Sequence, residues 1–456
     1  MDGTNLKYDL TRGGIADKLL LVALPIIGAQ ILMMSYNLAD MFILGRVGSG
    51  AVASSGIAGM YMWLSEGFLL IGKMGAEIGV SQSLGRRDVE AAKKFSHGAL
   101  CLALVIGVAY ALVCGALAEP LISFFQVREA EVAEGASNYL FIVSFAIPAT
   151  FIHASISGTF IGSGNSRVPL MLNGLGLALN VVLDIVFIFE LGMGIEGAAA
   201  ATAIAQIVAC ALSVYALLRK HDRPFERYEF MRLPKRETLA RILRWSLPLC
   251  VMSVLFTFFT MFMSRFAARF GAWAIAVYRV GSHIESISWL IGEGVSTSVA
   301  AFVGQNYGAG RWDRIRGGVR MALVAWCAWG AAATVLIIIA GRTLFAFFLP
   351  EPALIEMGVS FLRRLAACEV FGCLEAVSMG TFRGFGRTMP PSVVSVTCNA
   401  FRVPMAYFLS SHFGVSGIWL AITISASARG LWVFLWMSLE MRRNLKIEEA
   451  RTKKLW

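Results

Sequence analysis

Twelve apolar runs of about twenty residues follow one another along this chain, each long enough to span a bilayer. In hydrocarbon every backbone N–H and C=O must find a partner within its own segment, so such runs fold as helices. They lie at roughly 19–43, 51–74, 96–118, 137–161, 168–190, 196–218, 243–266, 273–301, 318–341, 355–381, 391–412 and 415–439. Spans 8 and 10 are long enough to require tilt or a bend. Composition agrees: the chain is 57% hydrophobic and 15% charged, with mean hydropathy +0.69, where a soluble domain carries about 25% charged residues. Alternating strands of about ten residues are not seen, which argues against an outer-membrane barrel. The expected fold class is an all-α membrane protein, with twelve transmembrane helices in two six-helix lobes.

Charge placement gives the orientation. With the N-terminus inside, the inner segments 1–18, 86–94, Arg167, 219–244, 311–320, 383–387 and 442–454 hold 29 of the 40 basic residues, and the outer segments hold seven. Lys73, Arg279, Arg402 and Arg429 fall within spans. This asymmetry places both termini in the cytoplasm and the chain in a cell (inner or plasma) membrane. The net charge of +11 is thereby accounted for by inner-face anchors, without nucleic acid. The segment from Met1 to Lys18 has no apolar core, so no cleaved signal peptide is expected. All eight cysteines lie in apolar runs and read as packing residues.

The polar stretch Arg219–Arg244 divides the spans six and six, giving an N-terminal lobe 1–218, a cytoplasmic linker 219–242 and a C-terminal lobe 243–456. The lobes are repeats. Leu24-Pro25 returns as Leu247-Pro248, and Gln82-Ser83-Leu84-Gly85 returns at the same offset as Gln305-Asn306-Tyr307-Gly308. At an offset shorter by one, Gly158-Thr159-Phe160-Ile161-Gly162 returns as Gly380-Thr381-Phe382-Arg383-Gly384. An even number of spans per repeat makes the copies parallel, an arrangement suited to alternating access.

The repeats differ in their acids. Leu24–Gly48 carries Asp40, and Met263 stands at that place in the second copy. A carboxylate in lipid costs about 2.5–3.5 kcal/mol or more without compensation. Counting 1.5 Å per residue, Asp184 lies about 25 Å past Arg167. Asp40, Asp184 and Thr202 then share the outer half of the bilayer. Asn180 is one helical turn before Asp184, and Tyr36 one turn before Asp40. Such a set can ligate a small hard cation such as Na⁺ at Asp40, Asn180, Asp184 and Thr202, or carry a proton on a buried carboxylate. The alternative is that each group caps a helix separately near the interface.

The C-terminal lobe holds Glu285, Glu293, Glu369 and Glu375 in spans 8 and 10. Arg402 and Arg279 are expected to neutralise two of them, with Glu285 and Glu375 as second-site candidates. Met33, Trp63, Phe259, Met263 and Trp289 offer soft aromatic walls for a cationic substrate, with Arg402 as a further cavity candidate. His153 and His283 read as hydrogen-bonded core residues. Gly67–Met74 mimics a phosphate loop but has Met74 where Ser or Thr should bind Mg²⁺, and it lies inside a span. With no ATP machinery, energy must come from an ion gradient or be absent.

These residues together resemble the multidrug and toxic compound extrusion (MATE) transporters over nearly the whole chain. The resemblance rests on the doubled Leu-Pro entries, the Gln82/Gly85 and Gln305/Gly308 turns, and the Gly-Thr-Phe-x-Gly segments with Gly164 and Gly386 after them. It is nearest to the DinF-like branch, whose ion or proton site matches Tyr36, Asp40, Asn180, Asp184 and Thr202. The resemblance implies a non-enzymatic antiporter that exports cationic, amphipathic drugs or metabolites in exchange for H⁺ or Na⁺. It needs no cofactor beyond that ion, works among membrane lipids and is expected as a monomer. A lipid-linked oligosaccharide flippase is the alternative, but the chain has few intramembrane cations to hold a pyrophosphate.

Overall fold

In the computed structural model, which describes residues 8–127, 129–219, 224–225, 233–348 and 351–453, the apolar runs are helices, and no strand occurs among the described residues. Chain order is α1 (Ile15–Val47), α2 (Ser49–Gly85), α3 (Val89–Ala116), α4 (Ala118–Ser123), α5 (Ala130–Ser144), α6 (Ile147–Gly162), α7 (Arg167–Asp184), a π-helical segment Ile185–Glu190, and α8 (Gly194–Arg219). After the linker come α9 (Arg236–Ala268), α10 (Ala272–Gly308), α11 (Trp312–Phe348), α12 (Pro352–Ala366), α13 (Glu369–Gly384), α14 (Met389–Phe413) and α15 (Val415–Lys453). Much of the linker lies outside the described residues.

Eight of these helices are long and apolar enough to cross a membrane, and the bent pairs α5–α6 and α12–α13 each supply one span, with bends of 50° and 46°. α2 and α14 complete twelve. Their lower hydropathy reflects Glu66, Lys73 and Glu77 in α2 and Arg402 in α14. Span 10 is bent as expected, whereas span 8 is the single 37-residue helix α10. The bend in span 4 goes beyond the sequence expectation, although Pro148 at the start of α6 removes an N–H and favours a break there. The matching break before Glu369 has no proline.

The repeat is carried into helix lengths. α1 and α9 both have 33 residues, α2 and α10 have 37, α5 and α12 have 15, and α6 and α13 have 16. Its glycines have a steric reason. A Cβ on Gly158 would collide with the Lys73 carbonyl, and one on Gly162 would lie 2.6 Å from the Glu77 carbonyl oxygen. In the second copy Gly380 meets the Ser296 carbonyl in the same way. α6 therefore lies backbone-to-backbone on α2, and α13 on α10, as small residues four apart allow.

The turns end in left-handed residues. Gly164 (φ 88°) and Gly386 (φ 69°) close α6 and α13, with Asn165 N–H bonding the Phe160 carbonyl and Arg387 N–H the Phe382 carbonyl, both at 2.9 Å. At the ends of α2 and α10 the left-handed residue is Arg87 (φ 60°) or Gly310 (φ 68°), and Gly85 and Gly308 are the last helical residues.

Two compact units divide the chain: unit 1 is Leu21–Cys250 with the described residues before Gly13, and unit 2 is Gly13–Leu20 with the chain from Val251 onward. The unit boundaries thus fall inside α1 and α9. In unit 2, Ser298 Oγ donates to the Leu19 carbonyl at 2.7 Å and Arg314 Nη1 to the Gly13 carbonyl at 2.8 Å. In unit 1, the first turns of α9 lay Ile242 against Ala76 and Ala99, and the Trp245 ring sits 5.3 Å from that of Phe95. The main apolar core of unit 1 gathers Leu140, Ile147 and Phe151; that of unit 2 gathers Met263, Phe345, Phe361 and Trp419.

Candidate functional site

Within unit 1, α1, α5, α7 and α8 bring their polar side chains to one place. Asn180 and Asp184 stand one turn apart at the end of α7, both buried, with Asp184 fully so. Asn180 Nδ2 donates to Asp184 Oδ2 at 3.2 Å. Asp184 Oδ1 is buried and has no hydrogen-bond partner among the described residues. The helix changes to π-helical pairing immediately after Asp184, a local distortion often found at functional sites.

α1 supplies Tyr36 and Asp40, both half-buried. Tyr36 lies close to Thr202 of α8, and its hydroxyl lies within electrostatic reach of Asp40 and Asp184. Asp40 and Asp184 also lie within electrostatic reach of each other. Tyr139 of α5 completes the set, close to Thr202 and within electrostatic reach of both acids. The five residues expected from depth are therefore together. Tyr139 is not among those expected, although span 4 descends from the outer side and its first residues share that depth. Ile43, Leu44, Ile188 and Ala198 pack beside Tyr139 as an apolar seal.

The chemistry follows from the donor count. Burying a carboxylate oxygen without a partner costs about 1–3 kcal/mol, and more when it is charged. Two nearby acids raise that cost. One bound cation or proton relieves both penalties, and Asp40, Asp184 and the Thr202 hydroxyl provide hard oxygen donors for it.

Unit 2 distributes its charges otherwise than expected. Glu375 is held by Arg429, with Nε 2.7 Å from Oε1, and Glu293 by Arg383 at 2.9 Å. Arg383, counted by sequence as an inner-face anchor, is buried. Arg402 gives its Nε–H to Ser425 Oγ at 2.6 Å rather than to a carboxylate, and lies within electrostatic reach of Glu285. Glu369 accepts from Ser288 Oγ at 2.7 Å. The Arg279 side chain falls outside the described residues. Arg429 and Arg383 take Glu375 and Glu293 because helix rotation, which sequence spacing alone does not give, decides which side chains face each other.

The cavity candidates separate. Met33 and Trp63 in unit 1 and Trp289 in unit 2 are exposed, and Phe259 is half-buried. Met263, which aligns with Asp40 in the sequence repeat, is only 1% exposed inside the apolar core of unit 2 and offers no wall. His153 is buried and hydrogen-bonded, whereas His283 is exposed, contrary to its reading as a core residue.

Comparison with known proteins adds the wider context. The MatE family model matches residues 25–186 and again 248–408, one match per repeat. The probable multidrug resistance protein NorM of Thermotoga maritima is 25% identical over 97% of this chain and 96% of its own. An FAD transporter of Shewanella oneidensis is 24% identical over 93% of this chain and 95% of its own. Among solved structures, a MOP superfamily transporter from Pyrococcus furiosus superposes with a TM-score of 0.90 at 21% identity, covering 97% of this chain and 99% of that one.

Proposed function

The chain belongs to the MatE family of membrane transporters, and from that premise we propose that it is a secondary antiporter, exporting cationic amphipathic compounds in exchange for H⁺ or Na⁺. The observation that carries this reading is the buried Asp184 with an unpartnered oxygen, electrostatically linked to Asp40 on another helix. Facing outward, the two acids take an ion from outside. Their mutual repulsion falls, α1 packs more closely on α7 and α8, and the drug loses its place. Ion and drug are coupled because they stabilise different arrangements of the same carboxylates. The drug-resistance relative supports the substrate class, and within unit 1 the exposed Met33 and Trp63 supply a soft and aromatic surface.

A second reading is transport of an anionic nucleotide, the class of compound that the FAD transporter relative is named for. Arg402, whose guanidinium is engaged through Nε with Ser425, favours it. One experiment separates the readings. Proteoliposomes are loaded in parallel with ethidium or FAD, and an imposed pH or Na⁺ gradient is applied to wild type and Asp184→Asn. The antiport reading expects gradient-driven ethidium movement that Asp184→Asn abolishes. It fails if neither gradient drives wild-type transport, or if the variant transports as wild type does.

A further inference from the structure

A second polar cluster is buried in unit 1, away from the acids. His153 of α6 meets Ser213 of α8 through Nδ1 at 2.6 Å and Asn173 of α7 through Nε2 at 2.6 Å. Ser213 gives its hydroxyl hydrogen to the Ala209 carbonyl at 2.8 Å. With its hydrogen so placed, Ser213 accepts from the ring and Nδ1 carries a hydrogen; with the hydroxyl turned toward Nδ1 the ring is the neutral tautomer with its hydrogen on Nε2. In the first arrangement the state of the ring is decided at Nε2. With Asn173 Oδ1 facing it, Nε2 also donates and the ring is an imidazolium; with the amide turned to present Nδ2, Nε2 accepts and the ring is neutral. Turning one amide thus interconverts two fully hydrogen-bonded states that differ by one proton.

This cluster shares its helix faces with the acid site. Asn173 precedes Asn180 and Asp184 by seven and eleven residues on α7, and Ser213 follows Thr202 by eleven on α8, spacings that keep one face of a helix. Between them Thr150, three residues before His153 on α6, donates to Gln206 Oε1 of α8 at 3.4 Å. Polar groups from three helices therefore line about 16 Å of unit 1, at 1.5 Å per residue. Among the described residues, Lys73 of α2 is the charged group that bears on the ring, and the Cys210 thiol of α8 lies against the His153 backbone. In the second repeat Glu375 stands at the position of His153, by the same offset that relates Gly158 to Gly380, and is fixed in an ion pair with Arg429. One copy holds a permanent charge pair there; the other holds an ionisable ring with neutral hydrogen-bond partners.

We propose that His153 is a second proton-binding station of unit 1, which receives the coupling proton from the Asp40–Asp184 site and releases it toward the inner side as the Asn173 amide turns. The inference rests on the antiport reading above and makes the coupling ion H⁺.

The test uses the full-length protein in proteoliposomes with ethidium as the drug. His153→Gln should bind ethidium as wild type does, yet lose roughly a hundredfold of pH-gradient-driven transport, the scale of a lost acid–base group. Exchange of ethidium at equal pH on both sides should continue. Asn173→Asp, a permanent acceptor for Nε2–H, should hold the ring charged and cause the same uncoupling. Solid-state ¹⁵N spectra of histidine-labelled wild type, with the His153 signals assigned by their loss in His153→Gln, should pass between the imidazolium and neutral patterns over the pH range in which transport varies. Should His153→Gln not fold, Asn173→Asp and the wild-type spectra decide. Wild-type coupling in His153→Gln or Asn173→Asp, a ring that keeps one state across that range, or transport driven by Na⁺ alone would each overturn the proposal. If His153→Gln is coupled normally while Asp184→Asn is inactive, this inference alone fails; if wild type responds to neither gradient, the antiport reading fails first.

Discussion

Asn180 reaches one turn along α7 to give its side-chain N–H to Asp184 Oδ2, and leaves Oδ1 of the same carboxylate without a partner among the described residues. The amide orients the acid and satisfies one oxygen, so the other is free for a proton or a cation. Asn180→Leu removes the orienting donor and leaves both oxygens unserved. A buried hydrogen bond to a charged group contributes about 1.5–3 kcal/mol, so ion affinity should fall roughly tenfold or more. Isothermal titration with Na⁺, or proton release measured on adding ethidium, checks this. Unchanged ion affinity would remove Asn180 from the site.

Tyr139 and Tyr36 both lie close to the Thr202 hydroxyl. Thr202→Val takes away the shared partner while keeping the shape. Each tyrosine should lose its anchor, and gradient-driven transport should fall more in Thr202→Val than in either Tyr36→Phe or Tyr139→Phe alone. Equal losses in all three, by vesicle efflux, would mean that Thr202 does not join them.

Arg429 is the counter-ion of Glu375 and touches Asn399 Oδ1 at 3.4 Å as well. Arg429→Met leaves a carboxylate without its cation, and removing one partner of a buried pair costs about 3–5 kcal/mol. The thermal midpoint in detergent should drop sharply. The double variant Glu375→Gln with Arg429→Met should recover most of it. A double variant as unstable as the single one would show that the arginine acts through packing instead.

Gly380 lies against the Ser296 carbonyl where a Cβ has no room. Gly380→Ala must push α13 off α10, at a cost on the order of 1–3 kcal/mol, read as a lower thermal midpoint. Arg87, by contrast, holds a left-handed backbone (φ 60°) where the second repeat has Gly310. Arg87→Gly should stabilise the turn by about 1 kcal/mol, because only glycine adopts that conformation without strain. A fall in midpoint for this variant would contradict the strain argument.

Helix depth is legible in the sequence, and it is enough to gather Tyr36, Asp40, Asn180, Asp184 and Thr202. Depth is a count along each span from its charged end, and the count works because spans cross the same slab. Azimuth is not legible. Spacing points to Arg402 and Arg279 as partners for the acids of spans 8 and 10 and leaves Arg383 among the inner-face anchors, yet the packed helices show that Arg429 takes Glu375 and Arg383 takes Glu293. Tyr139 escapes a sequence reading because an aromatic residue in an apolar run carries no charge to mark it. Met263 is misplaced by such a reading because a soft apolar side chain reads alike on a cavity wall and in a core, and the sequence does not fix what it touches.

The amino-acid sequence by itself determined the membrane solution, the span count and the doubled architecture. These follow from hydropathy and from the need of every backbone group in lipid to be bonded within its own helix, which are local quantities. Only the tertiary structure decided which of the buried polar groups meet: that Asp184 keeps one oxygen unpartnered, that His153 lies between Asn173 and Ser213, and that Glu375 and Glu293 of unit 2 are paired. Those contacts depend on how each helix is rotated and bent against its neighbours. Rotation and bending are set by packing over whole faces, with Gly158 on α2 and Gly380 on α10 as points of close approach.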